Sequence, residues 1–209
     1  MDFWDECSVL DEFLTELKLD DVITSPKKRL NFLTKPKVKD FNILDHYIFS
    51  SSTIELSPKQ LSFIPKSIWT SQNKVLTLDR IIATFFHARS SAKVRFEHKL
   101  WNALQITKNH PTLFSIIGVC WISNTIIKVH KLTFGKFLAL KKITSALFTS
   151  KGSFPSHGFI EISDLQLKSF HLNENDILEC RFYTHKDQKF TILSTEEEIS
   201  KCHWISSSV

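Results

Sequence analysis

Leu132-Thr133-Phe134-Gly135-Lys136-Phe137-Leu138-Ala139-Leu140-Lys141-Lys142-Ile143-Thr144-Ser145-Ala146-Leu147-Phe148-Thr149-Ser150-Lys151 is the stretch whose reading decides the fold. Leu132, Phe134, Phe137 and Leu138 recur at helical spacing, which predicts a helix over 132–140. After Lys141-Lys142 a second helix is expected from Ile143 to Thr149, with Ile143, Ala146 and Leu147 on its apolar face and Gly152 and Pro155 closing it. Its remaining positions are mostly short hydroxyls and lysines. Two short helices joined by a few residues make a helix-turn-helix unit. Hydroxyls and lysines on the outer face of the second helix suit a groove about 12 Å wide, lined with base edges and phosphates.

The charge pattern agrees. Residues 89–151 hold eleven Lys and Arg against one acid, Glu97, a local charge of +10 in a chain whose net charge is +5. Residues 1–56 hold eleven acids against seven Lys and Arg, and residues 152–209 hold nine against five. A basic stretch that is also rich in Leu, Ile, Phe and Trp reads as a folded domain with a positive surface, for which a phosphate backbone is the commonest partner. With 42% hydrophobic residues and eighteen Phe, the chain has enough apolar surface for a real core.

Outward from the pair of helices, a helix is expected over 77–88 through Leu78, Ile81, Ile82, Phe85 and Phe86. Another is expected over 93–108, with Phe96, Leu100, Trp101 and Leu104 on the apolar face and Arg95, Lys99 and Lys108 elsewhere. Pro111–Ile117 reads as a short helical piece ended by Gly118. Val119–Ile122 and Thr125–Val129 read as strands around a Ser123-Asn124 turn. Phe159–Ile162 is a further strand, two more are expected within 177–193, and Ser57-Pro58 is a helix-start signal. Ser194-Thr195 before Glu196-Glu197-Glu198 marks another helix start. The fold class is therefore α+β, a winged helix-turn-helix over 57–165. An acidic N-terminal segment and linker (1–56) and a β-rich C-terminal extension (166–209) flank it. Within the former, residues 1–24 suit either a docked amphipathic helix or an acidic activation segment that meets the transcription machinery. Lys27-Lys28-Arg29 suits either a solvated linker or a nuclear import signal.

Several function classes find no support. Four glycines form no phosphate loop. Four cysteines and nine histidines show no metal-ligand spacing, so neither a metal nor a cofactor is expected, and the thiols read as buried or free. There is no catalytic triad or carboxylate pair, so no enzyme and no small-molecule substrate. No apolar run approaches the roughly 20 residues of a membrane helix, and the acidic start is unlike a signal peptide, so a soluble, intracellular protein is expected.

One series of motifs carries a resemblance. It comprises Arg95-Phe96-Glu97-His98-Lys99-Leu100-Trp101-Asn102-Ala103-Leu104, Asn109-His110-Pro111, Ile116-Ile117-Gly118-Val119-Cys120-Trp121, Phe134-Gly135-Lys136-Phe137-Leu138, and Phe148 with Gly158-Phe159. In this order the set resembles the initiator-binding domain family of the trichomonad transcription-initiator-binding protein, over about residues 57–165. The resemblance implies a winged-helix fold that binds the initiator element at transcription start sites, hence double-stranded DNA as partner and the nucleus as location. The expected DNA-binding residues are Lys141, Lys142, Thr144, Ser145, Thr149 and Lys151 on the second helix. Arg89, Lys93, Arg95 and Lys99, before and within the 93–108 helix, are candidates for phosphate contacts, and Lys128, His130 and Lys131 flank the start of the helix-turn-helix unit, where backbone contacts are expected. A winged-helix protein-interaction module without DNA binding, and an RNA-binding domain, stay open as alternatives.

Overall fold

The computed structural model describes residues 54–69, 75–91, 93–167, 170, 172 and 174–202. The expected amphipathic segment 1–24 and the linker 25–40 lie outside these residues. The described part begins with a two-residue strand, β1 (Glu55–Leu56), a short helix, α1 (Lys66–Trp69), and β2 (Leu76–Thr77), which pairs antiparallel with β1. Helix α2 (Leu78–Ile81) follows, with the Thr77 hydroxyl accepting from Arg80 N, and runs on into a π-helical turn over Ile82–Phe86.

Helix α3 (Phe96–Asn109) is the hub of the fold. It is buried on every side from Phe96 to Thr107, where a half-exposed amphipathic helix was expected. The cause is long-range cover. Strand β3 packs on one face, and residues 58–65 cross another. That crossing is held by Asn102, whose Oδ1 accepts from Ile64 N (2.9 Å) while its Nδ2 donates to Ile64 O (2.7 Å). Trp101 Nε1 donates to Ser62 O at 3.3 Å. Ser57-Pro58 opens a series of turns rather than a helix, with Leu61 N donating to Ser57 O and Phe63 N to Pro58 O.

A 3-10 turn (Pro111–Leu113) and helix α4 (Phe114–Ile117) lead to Gly118, whose φ of 78° reverses the chain. Any Cβ there would also stand 2.5 Å from Phe134 N, so glycine is required twice over. Strands β3 (Val119–Trp121) and β4 (Ile127–His130) form the expected antiparallel pair. The connection is longer than the expected two residues, because the Ser123 hydroxyl accepts from Thr125 N and Ile126 N and draws both out of the ladder. Helices α5 (Lys131–Phe137), α6 (Ile143–Leu147) and α7 (Ser153–Ser156) follow. Gly152 and Pro155 were expected to end the helical region. Instead Pro155 sits in the first turn of α7, where its missing N–H costs nothing.

Strand β5 (Phe159–Glu161), helices α8 (Asp164–Leu167) and α9 (Glu174–Glu179), strand β6 (Cys180–His185) and helix α10 (Glu196–Ser200) complete the chain. The sheet order is β3-β4-β6-β5, all antiparallel. This corrects the expected boundary at 165. Strand β6 lies in the middle of the sheet, and Phe190, Ile199 and Cys202 belong to the main core, so residues beyond 165 are integral to the domain. It also corrects the two strands expected within 177–193: one strand forms, and residues 177–179 are helical. The register pairs Trp121 with Ile127 and Ile127 with Tyr183 on the face toward α3, and Lys128 with Phe182 on the other. That second face carries a smaller cluster of Leu167, Cys180 and Phe182. Helix α10 starts as the sequence suggests, in a capping box between Thr195 and Glu198. Cys180 and Cys202 are buried thiols that burial pushes up to about 12. The architecture is α+β, with the α5–α6 pair set against a small antiparallel sheet, as in a winged helix-turn-helix.

Candidate nucleic-acid interface

The α5–α6 unit is built on close contacts. His130 caps α5, its Nδ1 accepting from Thr133 N at 3.2 Å. Helix α5 ends with Leu140 N donating to Gly135 O (2.9 Å) and Ala139 N to Lys136 O (2.8 Å). Ala139 holds the left-handed residue of this cap, at a φ of 54°, where glycine is usual. The chain then turns, and Ile143 lands on Gly135. A Cβ at position 135 would stand 2.4, 2.5 and 2.7 Å from three atoms of the Ile143 side chain. Gly135 thus lets α6 approach the α5 backbone more closely than any other residue would.

From the other side α6 rests on Leu147, which is buried, and on Phe148. The Phe148 ring stacks on Phe154 at 5.7 Å, and Phe154 stacks on Tyr183 of β6 at 4.3 Å. The Arg181 guanidinium lies 5.0 Å from the Phe148 ring centre. Ser153 Oγ donates to Ala146 O (3.0 Å), satisfying a carbonyl at the end of α6. Five residues are too few to hold a helix unaided, so these contacts position it.

What remains outside is the set the sequence suggested. Lys141, Lys142, Thr144, Ser145, Thr149 and Lys151 are all exposed. Ser145 Oγ donates to Lys142 O and Thr149 Oγ1 to Ser145 O, so both hydroxyls keep acceptor lone pairs facing outward. Lys136, on α5, is exposed as well and was not among the residues the sequence suggested.

Three expected phosphate contacts are placed elsewhere. Lys99 is buried, and its Nζ donates to Phe86 O (2.8 Å) and Ala88 O (2.6 Å), closing the end of the π-helical turn. Burial lowers its pKa. Arg95 Nε lies 2.9 Å from Glu97 Oε1, and its Nη2 lies 3.3 Å from His98 Nε2. Glu97 is wholly buried, and its other oxygen lies 3.4 Å from His157 Nε2. Glu97 therefore faces both Arg95 at the start of α3 and His157 just beyond α7. Lys131 Nζ donates to Leu178 O at 2.8 Å. Of their neighbours, Lys128 pairs with Asp176, and His130 Nε2 lies 3.0 Å from Glu179 Oε2, while Arg89 and Lys93 are exposed. Desolvation pulls Lys128 down, and the Asp176 carboxylate more than offsets it, so its pKa is raised.

One signal for Lys99 was present in the sequence. At about 100° per residue, Phe96, Leu100, Trp101, Ala103, Leu104 and Ile106 spread over more than half the helix circumference, and Lys99 falls between Ile106 and Ala103. Nothing local marked Lys128 or Lys131, because their partners lie on α9, more than forty residues away.

Among the described residues, no three His, Cys, Asp or Glu side chains gather as a metal site, and no helix is long and apolar enough to cross a membrane. The sequence matches the family model described as the transcription-initiator DNA-binding domain over residues 70–190. Among solved structures, the crystal structure of the T. vaginalis IBP39 initiator binding domain bound to the alpha-SCS Inr element is 20% identical. The match covers 60% of this chain and 93% of that one, with a TM-score of 0.39. No curated protein matches.

Proposed function

Because the chain belongs to the transcription-initiator DNA-binding domain family, we propose that it binds duplex DNA sequence-specifically at a core-promoter initiator element, in the nucleus and without catalytic chemistry. The observation that carries this reading is the outer face of α6 and the turns on either side of it. Six exposed groups, all lysines or hydroxyls, stand there, Thr144 and Ser145 on the helix and Lys141, Lys142, Thr149 and Lys151 flanking it, while the inner face of the helix is locked by Gly135, Leu147 and the Phe148–Phe154–Tyr183 stack. In this reading α6 enters the major groove. Thr144 and Ser145 present short groups to base edges, while Lys136, Lys141, Lys142 and Lys151 meet phosphates and set the register. Arg95 and Lys99 act indirectly, by holding α3 and the elements around it.

The test is selection of binding sites from a randomised duplex pool, followed by a salt titration on the selected site. A selected consensus is expected. These four phosphate contacts by themselves contribute roughly −3 to −4 to the log–log salt slope. Failure to enrich any sequence, or a flat salt response, would favour a winged-helix module that binds protein instead. The nuclear assignment is tested by imaging a tagged full-length chain, and exclusion from the nucleus refutes it.

A further inference from the structure

The register of the sheet brings an acidic helix onto the start of the helix-turn-helix unit. His130, the last residue of β4, pairs with Cys180, the first of β6. Helix α9 ends at Glu179, immediately before Cys180, and α5 begins at Lys131, immediately after His130. The end of α9 is therefore delivered beside the start of α5. Its sequence, Glu174-Asn175-Asp176-Ile177-Leu178-Glu179, holds three acids and no base. Three contacts result: Asp176 with Lys128, Glu179 Oε2 with His130 Nε2 at 3.0 Å, and Leu178 O with Lys131 Nζ at 2.8 Å. Both lysines and the histidine of the 128–131 stretch are engaged by α9.

The attachment is polar. Leu178 is 72% exposed and Ile177 is 41% exposed, and neither joins the cluster formed by Leu167, Cys180 and Phe182 beneath. Little apolar burial holds α9 down, and a contact as exposed as that of Glu179 with His130 is individually weak. A DNA backbone offers the same basic groups a denser array of anions.

Resting on the DNA-binding reading above, we infer that α9 is a built-in competitor for the DNA backbone, which occupies Lys128, His130 and Lys131 in the free protein and yields them to phosphates when duplex binds. The first helix of a helix-turn-helix crosses the backbone, so the start of α5 is where such phosphates arrive. The competitor sets the effective affinity of the domain and discriminates against weakly held, non-specific DNA.

The experiment compares duplex affinity at two salt concentrations for four full-length proteins. These are the natural chain, Asp176→Asn with Glu179→Gln, Lys128→Ala with Lys131→Ala, and the combination of all four substitutions. The amide pair keeps the shape of the acids and removes their charge. It is expected to bind up to about tenfold more tightly at low salt with its slope little changed, because Lys128 and Lys131 reach phosphates in both proteins, whereas losing the two lysines should make the slope shallower by roughly 2. The gain should vanish in the background lacking Lys128 and Lys131. A gain that persists there reports only net charge and overturns the inference, as does no gain at all. Hydrogen exchange of the natural chain gives a second readout: amides of residues 174–179 should exchange faster with duplex bound, and equal or slower exchange overturns the competitor. If the natural chain binds and the amide pair binds no better, the competitor alone falls. If neither binds any duplex, the DNA-binding reading falls and takes the competitor with it.

Discussion

Gly135→Ala is the most direct probe of how α6 is positioned. The added methyl would stand 2.4 Å from Ile143 Cγ2, 2.5 Å from Cγ1 and 2.7 Å from Cδ1. Carbon atoms settle at about 3.5–4.0 Å, so the two side chains must separate by roughly 1 Å. Rotation of Ile143 offers little relief, because the clash involves both branches of a β-branched side chain whose rotamers are restricted. Helix α6 must therefore move away from α5. Overpacking of this kind costs about 1–3 kcal/mol, and replacing a mid-helix glycine returns about 0.5–1 kcal/mol. Net stability should fall by roughly 0–2.5 kcal/mol on those figures. The effect on specific binding is expected to be larger, since a shift of roughly 1 Å spoils base-edge contacts worth about 1–3 kcal/mol each. The assay is urea unfolding together with affinity for selected and random duplexes. Affinity for the selected site should fall about tenfold or more while random-duplex affinity changes little. Adding Ile143→Ala should restore part of the preference by clearing the contact. If Gly135→Ala is instead more stable by the full propensity gain and keeps its sequence preference, the close α5–α6 approach does not position the reading helix.

Four further outcomes are expected. Ala139→Gly should stabilise the domain by about 0.5–1 kcal/mol in urea unfolding, because glycine takes the left-handed cap without the strain alanine carries there; a loss of stability would refute the strain. Asn102→Ala should cost roughly 1–3 kcal/mol, since it leaves the buried Ile64 N–H without a partner while Ile64 O keeps the bond from Trp69 Nε1 at 3.3 Å, and a cost under about 0.5 kcal/mol would show that the N–H finds another acceptor. Burial holds His98 and His185 below the ordinary 6.5, so the unfolded chain binds more protons than the fold as pH drops past that value. Stability should be full above pH 6.5 and decline toward pH 5, a decline that His98→Gln with His185→Gln should flatten; urea midpoints across that range check it, and stability constant on acidification refutes it. Thr144→Ala with Ser145→Ala should cost roughly 1–3 kcal/mol on the selected duplex and little on random DNA, and equal weakening of both would remove these hydroxyls from sequence reading.

The elements around the interface were legible because their signals are local. Leu132, Phe134, Phe137 and Leu138 mark one helix, and Ile143 and Leu147 the anchored side of the next, through spacing alone. Gly118, Ser123 and Thr195 carry the signatures of a helix end, a turn and a capping box within a few residues of where each acts. The exposed lysines and hydroxyls of 141–151 followed from the same periodicity, since a helix with one apolar stripe turns its other residues to solvent. Lys99 is the instructive failure. Its helix was found, but the reading assumed one open side, and Lys99 is covered there by the end of the π-helical turn, where Phe86 O and Ala88 O accept from it.

By itself, then, the sequence determined the helical pair, the 119–129 strand pair, the concentration of positive charge and the ordered motifs of the family. Tertiary structure alone decided that β6 sits at the centre of the sheet, that residues 166–202 complete the domain, and which of the eleven basic residues in 89–151 reach solvent. The reason is physical. Helical periodicity and caps arise from interactions within a turn or two of chain, whereas burial, strand pairing and ion pairing depend on what other segments are brought alongside. Lys128, His130 and Lys131 read as candidates for backbone contacts until the His130–Cys180 register sets Asp176, Leu178 and Glu179 against them.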